Sequence, residues 1–483
     1  MARWRRRILV GLGLVAVGSG AIVYGLSEEV RLFALDSQTG QVQWSVSQLR
    51  RGHHSPLATA EVVIVSQSNE DSGALWDMEP GVPMDGGRGC VQQGWSLTAY
   101  NAKTGQEQWY FCPNSQQYRD LDVRLTKGMR FQLGRDRVLL PLIMFHGSPK
   151  PTQDQLLALH QANGQALWQI PQNFYAALPV DSTLITVNGV PRPNNRKVSS
   201  ELFGASVVEA GDRIAILTGQ LKQSATVQAI AATTGKLVWT RVLRDRLTAV
   251  NVAPDGAVRN YLLSHDNQIL HISPTNRLTA LEAKTGQIQF ELSGQFFGRT
   301  VVDRHAIYQF APEAIAAYNR TTGKSLWRRP TSVPSQSLLD VLAGAVDETT
   351  VYTRSYQFPQ QATFNTPGTI RIEALEAKTG KLRWQKQLPY PGGIDLAVMP
   401  VTSAIGVTLV AGANNKHDPA NLQLITLDRQ TGDIRWTFPL RIAEQHQPVR
   451  IYGLLGSNPT QIFIRDYAPR FRHWLAWLNP NWH

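Results

Sequence analysis

The pattern of apolar and polar positions repeats along the chain in one short unit. Each copy has an apolar-rich run, a polar turn that ends in glycine, and an alternating run that ends in an aromatic residue, which is typical of a β-hairpin. The first copy reads LFALDSQTGQVQW at 32–44 and the eighth reads LQLITLDRQTGDIRW at 422–436. Repetition of this kind predicts one structural unit that is used eight times.

Two positions mark every copy. The turn glycines are Gly40, Gly105, Gly164, Gly235, Gly286, Gly323, Gly380 and Gly432. The aromatic residues that come after them at a constant offset are Trp44, Trp109, Trp168, Trp239, Phe290, Trp327, Trp384 and Trp436. The last residue of such a turn takes a left-handed conformation, in which glycine is unstrained. One aromatic residue per unit indicates packing between units rather than a ligand site.

Further strand-like segments lie between the hairpins, for example Glu61–Ser66 and Arg137–Ile143. Two strands followed by a marked hairpin form a four-stranded propeller blade. Spacings between the turn glycines vary, which indicates insertions in loops, notably Ser68–Gly94 and Val190–Ala205.

The two ends of the chain have complementary deficits. The N-terminal hairpin Arg31–Val46 has no strand pair before it, and the strand-like stretches Val449–Leu455 and Gln461–Asp466 have no hairpin after them. Pairing them would complete an eighth blade and remove exposed strand edges. The predicted fold is therefore all-β: an eight-bladed β-propeller of four-stranded antiparallel blades, closed by N- and C-terminal strands and preceded by one N-terminal hydrophobic helix.

The N-terminus predicts a membrane segment. Four arginines precede the uncharged run Ile8–Leu26, and the acidic residues Glu28 and Glu29 follow one residue after it. The run is long enough to cross a bilayer as a helix, and the arginines orient its start toward the cytoplasm. We predict a signal-anchor over 1–28 and a propeller with a C-terminal aromatic tail over 29–483. A cleaved signal peptide is the alternative. Both interpretations place the propeller on the extracytoplasmic (periplasmic) side of the cell membrane.

Charge and cysteine content narrow the possible partners. The chain has 483 residues and a net charge of +12, which permits attraction to anionic partners, although nucleic acid is not expected for an exported domain. Two cysteines exclude a disulfide framework and multi-cysteine metal modules. Cys90 and Cys112 flank the second hairpin, so the sequence predicts either a disulfide between them or two unrelated thiols.

The A-x-x-x-x-T-G-x-x-x-W signature resembles the repeat of pyrroloquinoline-quinone (PQQ)-like β-propellers, and the resemblance covers residues 29–466. It implies that each tryptophan packs against the next blade. The family contains quinoprotein alcohol and glucose dehydrogenases as well as non-catalytic scaffolds of the BamB type. Alcohol-type quinoproteins usually carry adjacent cysteines beside the quinone, and no Cys-Cys pair is present here.

No catalytic residue and no metal ligand can be assigned from local motifs, because the sequence contains neither H-E-x-x-H nor G-x-S-x-G. We therefore expect a non-catalytic binding or scaffolding module for protein assembly at the cell envelope, without a cofactor. It would be a monomer or a subunit of a complex, with envelope proteins as partners and the cytoplasmic membrane contacted through the N-terminal helix. The alternatives are a PQQ- and calcium-dependent alcohol or sugar dehydrogenase that uses the central channel, and a module that binds anionic polymers through its arginines.

Overall fold

A computed structural model describes most of the propeller. The described residues are 14–17, 20–49, 56–68, 95–112, 122–124, 131–145, 155–171, 185–187, 190–192, 207–218, 224–246, 261–273, 277–293, 299–311, 314–331, 343–357, 368–390, 401–412, 422–440 and 455–473. Every regular element in these ranges is a β-strand. The all-β class predicted from the sequence is thereby confirmed.

The first half of the chain supplies three N-terminal strands and three blades. The N-terminal strands are β1 (Leu14–Val17), β2 (Gly20–Asp36) and β3 (Val42–Leu49). Blade 1 contains β4 (Leu57–Ala58), β5 (Val62–Ser68), β6 (Trp95–Asn101) and β7 (Glu107–Phe111). Blade 2 contains β8 (Asp122–Arg124), β9 (Gln132–Leu133), β10 (Arg137–Phe145), β11 (Gln155–His160) and β12 (Ala166–Pro171). A separate hairpin, β13 (Ile185–Val187) and β14 (Val190–Arg192), precedes blade 3, which contains β15 (Val207–Ala210), β16 (Arg213–Thr218), β17 (Ser224–Ala231) and β18 (Leu237–Arg246).

The second half continues the same pattern. Blade 4 contains β19 (Tyr261–His265), β20 (Gln268–Ile272), β21 (Arg277–Glu282) and β22 (Ile288–Ser293). Blade 5 contains β23 (Arg299–Val302), β24 (Ala306–Phe310), β25 (Ala314–Asn319) and β26 (Ser325–Pro330). Blade 6 contains β27 (Ala343–Val346), β28 (Thr350–Gln357), β29 (Gly368–Glu376) and β30 (Leu382–Tyr390). Blade 7 contains β31 (Val401–Thr402), β32 (Gly406–Gly412), β33 (Leu422–Asp428) and β34 (Ile434–Pro439), and the last two strands are β35 (Leu455–Ser457) and β36 (Gln461–His473).

The blades are arranged as a closed ring. Within each blade the strands are antiparallel, and in blades 1 and 3 to 7 neighbouring strands follow each other in chain order, whereas in blade 2 both β8 and β9 pair with β10. The first strands of neighbouring blades contact each other, from β15 through β19, β23, β27, β31 and β35 to β4 and β9. The first strand of each blade is therefore innermost and the fourth is outermost. The core lies between the blades as a series of apolar clusters, each of which joins two or three neighbouring sheets.

The two chain ends share blade 8, as the complementary deficits predict. Its strand order is β35, β36, β2 and β3. Strand β36 pairs with β2 in an unbroken register from Asp36–Gln461 to Tyr24–His473. An eight-bladed propeller of four-stranded blades, closed by strands from both termini, is thereby confirmed.

The predicted N-terminal helix is not confirmed. Within Ile8–Leu26, the described residues form β1 and the start of β2, which pair from Leu14–Val23 to Val17–Gly20. The run contains β-branched Val15, Val17, Ile22 and Val23, and such side chains favour strands. Strand β2 also extends the long pairing with β36. In the parts of the chain that the structure describes, there is no helix of sufficient length and hydropathy to cross a membrane.

Neighbouring blades are joined by contact between an aromatic ring and the turn glycine of the following blade. All eight turn glycines have φ between 68° and 75°. A Cβ atom built on Gly323 would lie 2.6 Å from Phe290, and one built on Gly432 would lie 2.7 Å from Trp384. These positions therefore require glycine twice, for the left-handed backbone and for the close approach of the ring.

Each tryptophan also donates a hydrogen bond into the next blade. The seven indole Nε1 groups lie 2.7–2.9 Å from backbone oxygens three residues before the next turn glycine, namely those of Ala102, Gln161, Ala232, Ala283, Ala377, Arg429 and Ser37. The last of these runs from Trp436 of blade 7 to Ser37 of blade 8, so the series closes on itself. The same ring contact and hydrogen bond therefore join seven of the eight pairs of neighbouring blades.

Phe290 is the exception, because its ring has no N–H group. The corresponding backbone oxygen in blade 5, that of Arg320, instead accepts a hydrogen bond of 3.0 Å from Nε2 of Gln268. Gln268 lies in β20 of the same blade as Phe290 and is buried. The ring contact and the hydrogen bond, which one tryptophan provides elsewhere, are thus divided between two residues.

Removal of the C-terminal strands tests the ring closure. A chain truncated after Ala468 keeps β35 and most of β36, and we expect it to remain soluble and to unfold cooperatively. A chain truncated before Val449 loses both strands and exposes the edge of β2, which favours aggregation. Solubility and thermal unfolding of the two products measure the difference. A soluble, cooperatively unfolding product of the shorter chain would contradict closure through blade 8.

Candidate functional site

The propeller has two unlike faces. Backbone hydrogen bonds place the turn between the first and second strands beside the turn between the third and fourth strands, for example Ala102 N to Glu61 O at 2.9 Å and Arg320 N to His305 O at 3.0 Å. We call this side the turn face. All other connections leave from the opposite side, the loop face. The predicted insertion Val190–Ala205 contributes β14, and the insertion after Ser68 lies outside the described residues.

The outermost strand of blade 3, β18, exposes an unusual aliphatic surface. Leu237, Val238 and Val242 are 60%, 44% and 63% exposed. Each other outermost strand exposes at most one large hydrophobic side chain among the described residues. Exposed Lys236 and Arg244 flank these residues. We call Lys236–Arg244 the blade-3 edge.

The outermost strands of the other blades can be compared with this edge position by position. Seven residues after the turn glycine stands Val242 in blade 3, whereas Pro171, Pro330 and Pro439 occupy that position in blades 2, 5 and 7. Blade 6 has Pro389 two residues further along. Proline on an outermost strand blocks further strand pairing, and natural sheets use it to protect their edges. With ten residues, β18 is the longest outermost strand described, and it contains no proline.

One acidic residue near the end of β18 faces inward. The register shifts between Ser224–Arg246 and Thr226–Val242, so three residues of β18 lie opposite Ala225 alone. Leu243 and Asp245 are buried and Arg244 between them is exposed, because side chains alternate between the two faces along the strand. Asp245 faces blade 4 close to the loop face.

Asp245 belongs to a polar cluster between blades 3 and 4. Its Oδ1 lies 3.9 Å from Nε of Arg277, whose Nη1 lies 3.9 Å from Oε1 of Glu291. His271 of β20 is fully buried in the same region. Burial lowers the pKa of His271 to about 4, and the negative charge of Asp245 opposes this shift without reversing it. The imidazole is therefore neutral at pH 7.

A second cluster ties blade 3 to blade 2. Glu209 of β15 accepts a hydrogen bond of 3.3 Å from the backbone N–H of Arg135, and its Oε2 lies 3.5 Å from Nε of Arg137. Burial raises the pKa of Glu209, although the hydrogen bond from Arg135 and the charge of Arg137 act in the opposite direction. Arg137 also donates to the backbone oxygen of Ala232, which Trp168 shares. Blade 3 is thus held by charged groups on both sides.

The innermost strands bear on the quinone alternative. A quinone with calcium would need a group of carboxylate and amide oxygens around one point. Among the described residues, no three His, Cys, Asp or Glu side chains are close enough to hold a metal ion together. Glu209, a carboxylate on an innermost strand, is engaged by Arg135 and Arg137. These residues do not fit such a ligand set, and we assign none of them to a cofactor.

The residues singled out from the sequence occupy structural positions. The eight turn glycines and eight aromatic residues lie together in the joints between blades. Cys112, directly after β7, is disulfide-bonded. Its expected partner Cys90 lies outside the described residues, so the Cys90–Cys112 pairing stays a prediction.

Sequence comparison identifies the family. The family model described as "Outer membrane protein assembly factor BamB" matches residues 2–177, 223–393 and 311–454. The chain therefore belongs to this family of PQQ-like β-propellers. No curated protein sequence matches the chain significantly.

Three solved structures illustrate the structural similarity. BamB from Moraxella catarrhalis is 13% identical, with 88% of this chain and 95% of that chain covered and a TM-score of 0.43. A europium-containing methanol dehydrogenase is 11% identical, with coverages of 85% and 81% and a TM-score of 0.46. Quinohemoprotein alcohol dehydrogenase from Comamonas testosteroni is 12% identical, with coverages of 92% and 76% and a TM-score of 0.46.

Sequence reasoning missed the blade-3 edge. A signal is present, because alignment of the copies on their glycines places proline, serine, glutamine or cysteine where blade 3 has Val242. Residues that all copies share define the fold, whereas the blade-3 edge is indicated by a position at which one copy differs from the others. The proximity of Asp245 to His271 depends on packing between blades 3 and 4, which no local motif predicts.

Burial of His271 predicts a pH-dependent stability. The pKa of His271 is about 4 in the folded chain against an ordinary value of 6.5. Stability is therefore fully present above pH 6.5 and is lost as the pH falls toward 4. One pH unit between the two pKa values corresponds to about 1.4 kcal/mol, so the expected loss is about 3 kcal/mol. Urea unfolding of the parent and of His271→Gln across this range should show a shallower loss for the variant. The matched substitution His305→Gln, at an exposed histidine, should leave the parent's slope unchanged, and equal slopes for all three proteins would refute the assignment.

Proposed function

We propose that this chain is a non-catalytic binding and scaffolding module of the cell envelope. In this proposal the N-terminal segment holds it at the cytoplasmic membrane, and the propeller lies on the extracytoplasmic side as a subunit of an assembly complex. The observation that carries the proposal is the match of most of the chain to the family described as an outer membrane protein assembly factor.

Two features of this chain support a binding role in that compartment. Arginines before the apolar run and acidic residues after it are the charge pattern of a segment that directs the rest of its chain across the membrane. The blade-3 edge offers exposed aliphatic side chains beside cationic ones, and contiguous exposed apolar surface commonly marks an interaction site.

The ring makes such a surface suitable for a scaffold. Each blade is joined to both neighbours by ring–glycine contacts and partly buried hydrogen bonds, so an outermost strand is presented on a rigid support. A rigid surface loses little conformational entropy on binding, which favours affinity. The propeller would act by holding partners in position.

Deletion of the gene in its host tests the proposal. We expect the abundance of outer-membrane proteins, measured by quantitative mass spectrometry of envelope fractions, to fall and to recover when the full chain is restored. Inner-membrane proteins serve as the control and should not change. Unchanged outer-membrane proteins, together with dye-linked oxidation of alcohols or sugars by the purified full chain supplied with PQQ and calcium, would overturn the proposal and favour the dehydrogenase.

A further inference from the structure

We propose that the blade-3 edge binds an extended segment of a partner protein, rich in acidic and aliphatic residues, as a fifth antiparallel strand of blade 3. This inference rests on the proposed binding function and names the surface and the chemistry of the partner. The occupant is one strand that adds to β18 by backbone hydrogen bonds, a recognised mode of peptide recognition.

The prolines of other blades reveal which N–H groups of β18 point outward. Pro171, Pro330 and Pro439 pair with Gln155, Ala314 and Gln423 within their sheets. Val242 has the equivalent pairing, with Thr226. Because proline has no N–H, a position that accepts it in a paired strand directs its N–H away from the neighbouring strand.

The N–H of Val242 therefore points away from β17, and so does that of Thr240, since the direction alternates every second residue. Strand β18 is the last strand of its sheet. These two groups and their carbonyl oxygens form the start of a ladder that a further strand can complete. In blades 2, 5 and 7 proline removes the donor at this point.

Side chains on the blade-3 edge specify the partner. Val242 and Arg241 lie on opposite faces of β18, because side chains alternate along a strand. Residues directly opposite across an antiparallel pair share a face and interact, so an added strand should place aliphatic residues beside Val242 and acidic residues beside Arg241. Exposed Lys236 and Arg244 extend the positive charge to both ends of the edge.

A second copy of the same edge is the weaker occupant. Asp245, the one acidic residue of β18, is turned inward and is 5% exposed. Two copies would therefore bring cationic strands together without an opposing charge at the surface. An acidic strand from another protein meets the same ladder with charge attraction.

The edge is held in place before a partner arrives. Trp239 donates to Ala283 O at 2.9 Å, and Nε of Arg241 donates to Gly286 O at 2.8 Å. Together with the inward-facing Asp245, these contacts fix β18 against blade 4 along its length. Added pairing therefore orders only the partner segment.

Binding of a designed peptide to the purified full chain tests the inference. The probe is a fluorescent peptide in which Glu and Val alternate, and anisotropy measures its affinity. The same peptide with Lys in place of Glu should bind more weakly. Val242→Pro removes one outward donor and places in blade 3 the residue that blades 2, 5 and 7 carry there. We expect about tenfold weaker binding, since a hydrogen bond contributes up to about 1.5 kcal/mol.

The matched control is Ser293→Pro, the same position in blade 4. This variant should bind the probe like the parent, and the thermal unfolding of both variants shows that each is folded. Equal affinity of Val242→Pro and Ser293→Pro, or no preference for the acidic peptide, would overturn the inference.

The host separates failure of this inference from failure of the scaffold function. If the edge binds the partner, Ser293→Pro restores outer-membrane proteins to the deletion strain and Val242→Pro does not. Full restoration by both variants would reject the edge and leave the scaffold function standing.

Discussion

The contact between an aromatic ring and the turn glycine of the following blade is the interaction on which the ring depends. It uses the one residue that accepts both a left-handed backbone and a ring at its α-carbon. Because Trp436 of blade 7 meets Gly40 of blade 8, the series has no end. Loss of a buried tryptophan such as Trp384 removes ring packing worth about 3–5 kcal/mol together with a hydrogen bond, so a joint of this kind is a substantial part of the stability.

Structural features that are encoded by the repeat, whose residues lie close together in sequence, could be predicted, whereas features that depend on particular contacts between distant residues could not. The hairpins, the ring and the closure of blade 8 are predictable from copies that match at constant offsets and from the missing parts at each end. The hydropathy of the N-terminal run predicts a helix, whereas its β-branched residues and the long partner strand β36 favour pairing. The replacement of one indole donor by Gln268 joins residues far apart in sequence, and the proximity of Asp245 to His271 depends on packing between two blades.

In a repeat protein, a copy that differs from the others can indicate a functional surface, because the other copies show what the fold requires. The other copies show what an outermost strand needs for packing, and those of blades 2, 5, 6 and 7 carry proline, which protects them against further pairing. Blade 3 satisfies the packing requirement, with Trp239 and Gly235 in place, and lacks proline. Its edge is longer and richer in exposed aliphatic residues than the other outermost strands described, and charged contacts fasten blade 3 to blades 2 and 4. A strand that is rigid and unprotected is suited to binding rather than to stability.

The most direct measurement is site-specific photo-crosslinking in the cells that make the protein. A photoreactive amino acid is placed at Val242 and, in separate strains, at the equivalent Ser47, Ser293 and Gln387 of blades 8, 4 and 6. Binding of a partner at the blade-3 edge predicts a discrete adduct from Val242 and none from the other three positions. Adducts of equal yield from all four blades, or adducts from every position except Val242, would contradict it.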